Sequence, residues 1–473
     1  MVVTDKSRRG EPKWAPRLLE GPGSKHNRIY AALVSDIADG ILVAGDRLPP
    51  QREVALALGV DLTTVTRAYN RAREEGIIQA ASGRGSFVTS DAASAGSLPG
   101  LGTATLDLSK NSPPLRESES IQRMIVQEFS RSGHGALDLS GFNYQDTGGS
   151  RENRAAGSVW LSAKMPSRPV DQVILCSGAQ SALFAICHLL SRQTKNIAIG
   201  EYAYPGIHTV AVQCGLTRIP LAMDDLGILP DAFEEVARTT ELAAIYITPT
   251  IDNPTTATMS EARRESIVAV ARKHSIVIIE DDPYSTLLPT TPVSLATLAP
   301  ELTWHIATLS KCVTAAMRLG YVACPSKAAA EKLAAVLQAM TMMASPFFAA
   351  LATRWISSGL LADAASAIGN ANSARQKIAS KVFDGFGLKA NPFGSHIWLA
   401  LPQPWRGIDF AYQAERDGIM ILPSASFAVR NPAVEAVRIS VGAAPDNNAL
   451  ETALLKLRAI IEGGTPVEMR AVV

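Results

Sequence analysis

The residues with the clearest chemistry are Thr308-Leu309-Ser310-Lys311, followed seven residues on by Arg318. A lysine just past an apolar, strand-like run, with hydroxyls before it and a guanidinium after it, is equipped for two tasks. Its amine can condense with an aldehyde, and the hydroxyls and Arg318 can hold a phosphate dianion. Pyridoxal 5'-phosphate (PLP) carries both groups, so Lys311 is a candidate PLP anchor. Other positions suit the same cofactor. Glu280-Asp281-Asp282-Pro283-Tyr284 follows an apolar run, and a carboxylate there can pair with the pyridine nitrogen and keep the ring an electron sink. Asp281 is the choice, because Tyr284 lies three residues on and could donate to the ring's 3'-oxygen. Asn253, in Asn-Pro-Thr, could reach the same oxygen. In Ser177-Gly178-Ala179-Gln180-Ser181, backbone N–H groups at a helix start suit a phosphate. Tyr204 offers an aromatic face, and Arg438 a bidentate fork for a substrate or effector carboxylate. Taken singly, each of these is more often a turn, a cap or a surface ion pair. Their ordered combination is the signal.

The elements that must position these residues alternate strand-like and helical patterns from about Leu106 to Val473. Val173-Ile174-Leu175, Ala244 to Ile247 and Ile276 to Ile279 are apolar runs without polar alternation, as expected of strands covered on both faces. This predicts an α/β domain with a mainly parallel sheet within a large mixed-sheet subdomain. Strands near Ile397-Trp398-Leu399 and Val437 to Ser440 predict a small α+β subdomain from about residue 381 to 473. Residues 89–105 are small, polar and nearly uncharged, as in a flexible linker. Residues 1–24, rich in Pro and Gly, read as a loose arm.

Residues 25–88 have a different pattern. Ile29, Leu33, Ile37 and Ile41 form a helical stripe, and a second helix starts after Pro50. A third runs from Leu62 to Glu75, closed by Gly76. Two short strands flank Ser82-Gly83-Arg84. This is the outline of a winged helix-turn-helix. The third helix presents Thr63, Thr64, Thr66, Arg67, Asn70 and Arg71 on its polar side, where hydroxyls and guanidinium groups can contact phosphates and base edges. Gln51 and Arg52 would face the DNA backbone, and Gly83 and Gly85 would let the wing approach a phosphate. The competing reading is a small helical interaction domain, since thirteen basic and ten acidic residues up to Ser90 make a weak electrostatic footprint.

Two resemblances add to this. Leu48-Pro-Pro-Gln-Arg-Glu-Val-Ala, Gly59-Val60, Thr63 to Tyr69, Glu75-Gly76 and Gly83-Arg-Gly-Ser-Phe-Val resemble the GntR-type winged-helix family, with Leu62 where many members carry arginine. From about Leu106 onward the chain resembles fold-type I PLP enzymes of the aminotransferase class I/II family. That resemblance implies Lys311 as the Schiff-base lysine, Asp281 as the pyridine partner, Asn253 and Tyr284 at the 3'-oxygen and Tyr204 as the stacking ring. It also implies Gly178, Ala179, Gln180, Thr308, Ser310 and Arg318 around the phosphate, and Arg438 on a carboxylate. Tyr144 resembles a tyrosine that reaches the partner subunit's phosphate, which implies a homodimer with composite sites. Thr256 stands where many members have glycine, and Thr308 where serine is common. The whole layout is similar to that of MocR/GabR-type regulators.

The remaining composition narrows the function classes. The net charge is +1, from 45 basic and 44 acidic residues, and predicts no partner by itself. Five cysteines without a Cys-x-x-Cys pair predict reduced thiols in a cytoplasmic protein. Seven dispersed histidines predict no metal, and no apolar run is long enough for a membrane span. Three readings stay open. One is a regulator that binds operator DNA and senses an amino-compound effector by external aldimine formation at Lys311. The second is a working aminotransferase with an accessory DNA-binding domain. The third is a sensor of PLP itself.

Overall fold

The computed structural model describes Trp14 and residues 25–38, 41–42, 45–74, 77–81, 85–89, 105–114 and 143–463. The linker core 90–104, the wing tip Ser82-Gly83-Arg84 and the Gly76 cap lie outside the described residues, as does the arm apart from Trp14. The chain divides into two units, Met1–Ala104 and Thr105–Val473.

In the first unit, helices α1 (Lys25–Ala38), α2 (Gln51–Leu58) and α3 (Leu62–Glu74) precede strands β1 (Ile78–Ala81) and β2 (Gly85–Val88). The strands pair antiparallel, with Ile78 opposite Val88 and Ala81 opposite Gly85. Val65, Ala68, Tyr69 and Ala72 of α3 are buried against Ile29, Leu33, Val54 and Val88. Their spacing of three and four residues makes one apolar stripe along α3. The Tyr69 hydroxyl donates to the Pro49 carbonyl at 2.9 Å, which satisfies the one polar atom this stripe buries. Gly59 closes α2 in the left-handed region at φ +59°.

Two expectations are corrected here. Ile41 is 58% exposed and lies past the end of α1; Leu42 is buried in its place. The chain turns there, with the N–H groups of Ile41 and Leu42 both bonded to the Asp36 carbonyl. Trp14 is no part of a loose arm. It is 3% exposed in the same core, and its indole N–H donates to Asp36 Oδ2 at 2.8 Å. Burial of one large ring outweighs the polar composition around it.

The second unit opens with β3 (Leu106–Asp107), then β4 (Val173–Cys176), β5 (Asn196–Gly200), β6 (Thr217–Leu221) and the small hairpin β7 (Met223–Asp224) and β8 (Gly227–Ile228). Next come β9 (Ala244–Ile247), β10 (Val277–Asp281), β11 (Thr303–Thr308) and β12 (Gly320–Ala323). Seven of these form one sheet in the order β4-β12-β11-β10-β9-β5-β6. All neighbours run parallel except β12, which is antiparallel to both β4 and β11. Its central strands are buried along their length, because helices such as Ala179–Leu190 and Glu261–Lys273 pack against the sheet.

The smaller sheet contains β13 (Gly387–Ala390), β14 (His396–Ala400), β16 (Leu422–Pro423) and β17 (Ala436–Ser440), in the order β13-β14-β17-β16. The short β15 (Ile419–Met420) pairs in parallel with β3, and Leu108 lies in this subdomain's core. The small subdomain therefore includes the first residues of the unit, which the expected range from about residue 381 leaves out. A two-residue strand has no periodicity of its own, so its partner is set by tertiary packing alone.

Candidate PLP site

The candidate residues sit at the carboxyl ends of the parallel strands, where open α/β sheets leave a crevice. A cavity of about 520 Å³ opens there, between the large sheet and β17. Lys311, Asp281, Tyr284, Asn253, Tyr204 and Arg438 line it, with Ala179, Gln180, Thr308, Ser310 and Arg318. Gly178 adjoins them at the start of the helix Ala179–Leu190. Tyr144 does not join this group; it is 85% exposed.

Strand alternation sorts the carboxylates of β10. Asp281, the last residue, turns one way and its neighbour Glu280 the other. Glu280 accepts from the N–H groups of Leu295 and Ala296, each at 2.9 Å, and lies 2.8 Å from His305 Nδ1. It therefore anchors the Leu295–Leu298 helix. Asp281 Oδ2 accepts from the Tyr246 hydroxyl at 2.8 Å, while Oδ1 is buried with no partner. A buried carboxylate oxygen without a partner is costly, and a protonated pyridine nitrogen would satisfy it. Burial pushes the Asp281 pKa up to about 6; the Tyr246 hydroxyl opposes this and Asp282 adds to it.

Burial lowers the pKa of Lys311 to about 8, helped by Arg438 and Arg318 and opposed by Asp281. Roughly one amine in ten is then unprotonated at pH 7, enough to attack an aldehyde. The ammonium donates to the main-chain carbonyl of Asn111. On the Arg318 side of the cavity, Thr308 Oγ1 accepts from the Ser310 N–H at 3.2 Å and donates to the Leu319 carbonyl at 3.3 Å. Arg318 holds a left-handed backbone at φ +47°, a strained position for a non-glycine residue. Gly178, at φ +89°, lies beside it: a Cβ there would stand 3.7 Å from the Arg318 guanidinium. The helix start and Arg318 thus converge on one spot. The side chain of Gln180 donates to the Gly206 carbonyl at 3.2 Å, so it braces the Tyr204 loop. Gly206 is required beneath that ring, because a Cβ would come within 2.1 Å of Tyr204.

Arg438 reaches the cavity from β17. Its Nη1 donates to Asn253 Oδ1 at 2.9 Å and its Nη2 to the Ser109 carbonyl. Burial brings its pKa down to about 10, so it remains charged at neutral pH.

Sequence reasoning missed Ser109, Asn111, Tyr246 and His396. Tyr246 offered a signal, since a phenol inside the apolar run Ala244–Ile247 must find a partner when buried. Ser109, Asn111 and His396 offered none. Asn111 meets Tyr284 and His396 only through the fold.

In the first unit, Arg52, Thr63, Arg67 and Gly85 are exposed, and Thr64 is half-buried. Thr66 and Gln51 are engaged with each other: the threonine hydroxyl lies 2.9 Å from Gln51 Oε1 and 2.9 Å from the Leu62 carbonyl. They join α2 to α3. Arg71 stacks 4.1 Å over the Tyr30 ring. Of the residues expected on α2 and α3, Arg52, Thr63, Arg67, Asn70 and Arg71 are exposed, while Gln51, Thr64 and Thr66 are half-buried.

The family pattern for aminotransferase class I and II matches residues 103–457, three quarters of the chain. The chain belongs to that family. The pattern for bacterial regulatory proteins of the gntR family matches residues 25–88. The family uses PLP, and the donor set of the cavity fits that cofactor through the unpartnered Asp281 oxygen, the buried amine and the helix start beside Arg318. Two curated relatives span nearly the whole molecule. The uncharacterized HTH-type transcriptional regulator YdeF of Bacillus subtilis is 27% identical, over 95% of this chain and 97% of that protein. The vitamin B6 salvage pathway transcriptional repressor PtsJ of Salmonella typhimurium is 26% identical, over 90% and 96%. Among solved structures, an archaeal alanine:glyoxylate aminotransferase matches at 20% identity with a TM-score of 0.70, covering 77% of this chain and 92% of that one. This last likeness speaks for the fold. A gntR domain followed by an aminotransferase domain is the arrangement of MocR-type regulators, and this chain has it. Among the described residues, no helix is long and apolar enough to cross a membrane.

Asp281→Asn tests the carboxylate independently of catalysis. The folded pKa of Asp281 lies above its unfolded value near 4, so the unliganded fold loses stability as pH rises toward 6. The variant should melt at least as high as wild type at pH 7.5 without PLP, with this advantage gone below pH 4. PLP titration should show binding weakened tenfold or more, since a charge-assisted hydrogen bond is replaced by a neutral one.

Proposed function

We propose that the chain is a DNA-binding transcriptional regulator whose aminotransferase-like unit holds PLP on Lys311 and senses an amino-compound effector. The observation that carries this reading is a pairing. A cavity equipped for PLP lies in the same chain as an α3 helix with exposed Arg67 and Thr63, and the relatives that span both units are regulators. When bound, PLP supplies an aldehyde that condenses reversibly with amines. Asp281 holds the pyridine end, Tyr284 and Asn253 orient the 3'-oxygen, and Tyr204 covers the ring. The start of the helix Ala179–Leu190 with Thr308, Ser310 and Arg318 takes the phosphate. Arg438 takes the effector's carboxylate. An effector amine that took the place of Lys311 would leave that side chain untethered, which would bias the large and small subdomains between two packings and alter spacing on DNA. In this reading the working form is a homodimer, with Tyr144 reaching the partner's site, on operator double-stranded DNA.

The regulator reading is tested by footprinting the PLP-loaded protein on the DNA upstream of its own gene, with and without a panel of amino compounds. A footprint altered by one class of amine supports it. Many turnovers per site with an amino donor and a keto acid, and no footprint, would establish an aminotransferase instead. The name of PtsJ raises a second reading, in which PLP itself is the signal. A footprint that answers to PLP and to no amine would favour it. Arg67→Ala should weaken DNA binding about tenfold or more while PLP spectra stay unchanged, since a good guanidinium contact contributes about 1–3 kcal/mol. Gel-shift titration at fixed salt measures it, and an unchanged affinity would remove Arg67 from the interface.

A further inference from the structure

Asn111 stands at the wall of the cavity, on the segment that follows β3. Its amide meets three side chains. Nδ2 lies 2.7 Å from the Tyr284 oxygen and 3.0 Å from His396 Nδ1. Oδ1 accepts from the Ser395 hydroxyl at 2.6 Å. The direction of each bond follows from His396. Its Nε2 lies 3.0 Å from the Asp252 main-chain carbonyl, which can only accept, so Nε2 carries the proton. Burial, with Arg438 and Lys311 nearby, lowers the His396 pKa to about 3, so the ring is neutral and Nδ1 is an acceptor. Asn111 Nδ2 must therefore donate to it, and its second N–H donates to Tyr284. A flipped amide would set Oδ1 against the Nδ1 lone pair.

We infer that Asn111 is a positioning residue for Tyr284: by donating to the phenol oxygen, it commits the Tyr284 O–H to donate into the cavity. The inference rests on the PLP reading of the site. Asn253 is arranged in the same sense. Its Oδ1 accepts from Arg438, which leaves its N–H groups for the cavity. Both side chains then offer donors to the 3'-oxygen of the ring. With PLP bound, that oxygen would carry negative charge, uncompensated when the Lys311 nitrogen is unprotonated. A donor there stabilises the deprotonated form and lowers the pH at which the proton departs. The charged and titratable groups that face the Lys311 amine are Asp281, Arg438, Arg318, Tyr284 and Tyr204, with His396 behind Asn111. Asn111 adds no charge to this set and acts through Tyr284.

The test is the pH midpoint of the visible absorbance band of the full-length, PLP-loaded protein. Tyr284→Phe should raise it by about one pH unit, the effect of losing one hydrogen bond to a charged oxygen. Asn111→Ala should raise it in the same direction by roughly half a unit, because a phenol that accepts no bond is a weaker donor. The double variant should match Tyr284→Phe alone. Asn111→Asp keeps the shape of the side chain, so it remains readable if the alanine variant folds poorly. Its carboxylate accepts from the Tyr284 hydroxyl and from His396, which takes up a proton at Nδ1 to avoid facing an oxygen with a lone pair; the phenol turns away from the cavity, and the midpoint should rise at least as far as that of Tyr284→Phe. A midpoint at the wild-type value in Asn111→Ala or Asn111→Asp overturns the inference, as do shifts that simply add in the double variant. A wild-type protein that develops no pH-dependent band with PLP overturns the PLP reading as well.

Discussion

Lys311→Ala eliminates the visible absorbance band that PLP acquires on the wild-type protein, while PLP still binds without a covalent link. The loss should be complete, because among the described residues Lys311 is the buried lysine of the cavity, beside Asp281 and Arg438. Lys110 also lines the cavity, but its side chain is 80% exposed and paired with Asp107 at 3.1 Å. A band that persists in Lys311→Ala would assign the anchor to Lys110 or to another lysine. The same variant carries a stability signature that does not depend on PLP. The folded pKa of Lys311 is lowered to about 8 from 10.5, so the unfolded chain binds more protons between those values. Wild-type stability relative to the variant should therefore rise as pH goes from 8 to 10.5, and stay level below 8. Thermal melts of both proteins across that range measure it, and a flat difference would mean that the amine is not desolvated.

Arg438→Ala should reduce affinity for carboxylate-bearing amino compounds about a hundredfold or more, with PLP attachment intact. The side chain is 3% exposed, so a carboxylate bound to it would be removed from water, where losing one partner of a charge pair costs about 2–5 kcal/mol. The guanidinium is already held by Asn253, by the Ser109 carbonyl and by the Phe427 ring, whose centre is 5.0 Å away. Nε has no partner, and each terminal nitrogen keeps a second N–H, so the fork retains donors for a two-point contact with a carboxylate. Arg438→Lys, which keeps the charge but lacks the fork, should fall between alanine and wild type. Amines without a carboxylate should bind wild type and Arg438→Ala alike. Titrating the visible band with matched pairs of such ligands checks this, and equal losses for both classes would remove Arg438 from the ligand contact.

Much of this site was legible because its residues sit at strand ends, and strand ends can be read locally. Asp281 closes an apolar run, Lys311 follows another, and Gly178 stands between a strand and a helix. The backbone geometry that aims them at one crevice is a general property of parallel sheets. The choice of Asp281 over Glu280 was also accessible, since adjacent residues of a strand face opposite sides. What remained hidden depended on partners far away along the chain. Asn111 is 173 residues from Tyr284 and 285 from His396. Trp14 reads as part of a polar arm until Asp36 is seen to accept its N–H. Ile41 continues a periodic stripe past a turn that the Asp36 carbonyl closes.

The sequence by itself determined the two-part organisation, the α/β class of the larger unit and most of the candidate side chains that line one cavity. These follow from periodicity, composition and residue chemistry, which are carried within short windows. Only the tertiary structure decided which hydrogen-bonding atoms those side chains keep available. It left Asp281 Oδ1 without a partner, engaged Asn253 Oδ1 with Arg438, and placed Asn111 so that Tyr284 donates into the cavity. The physical reason is that a hydrogen bond's direction depends on every neighbour of the atom, and those neighbours come from distant segments brought together by burial of the two sheets.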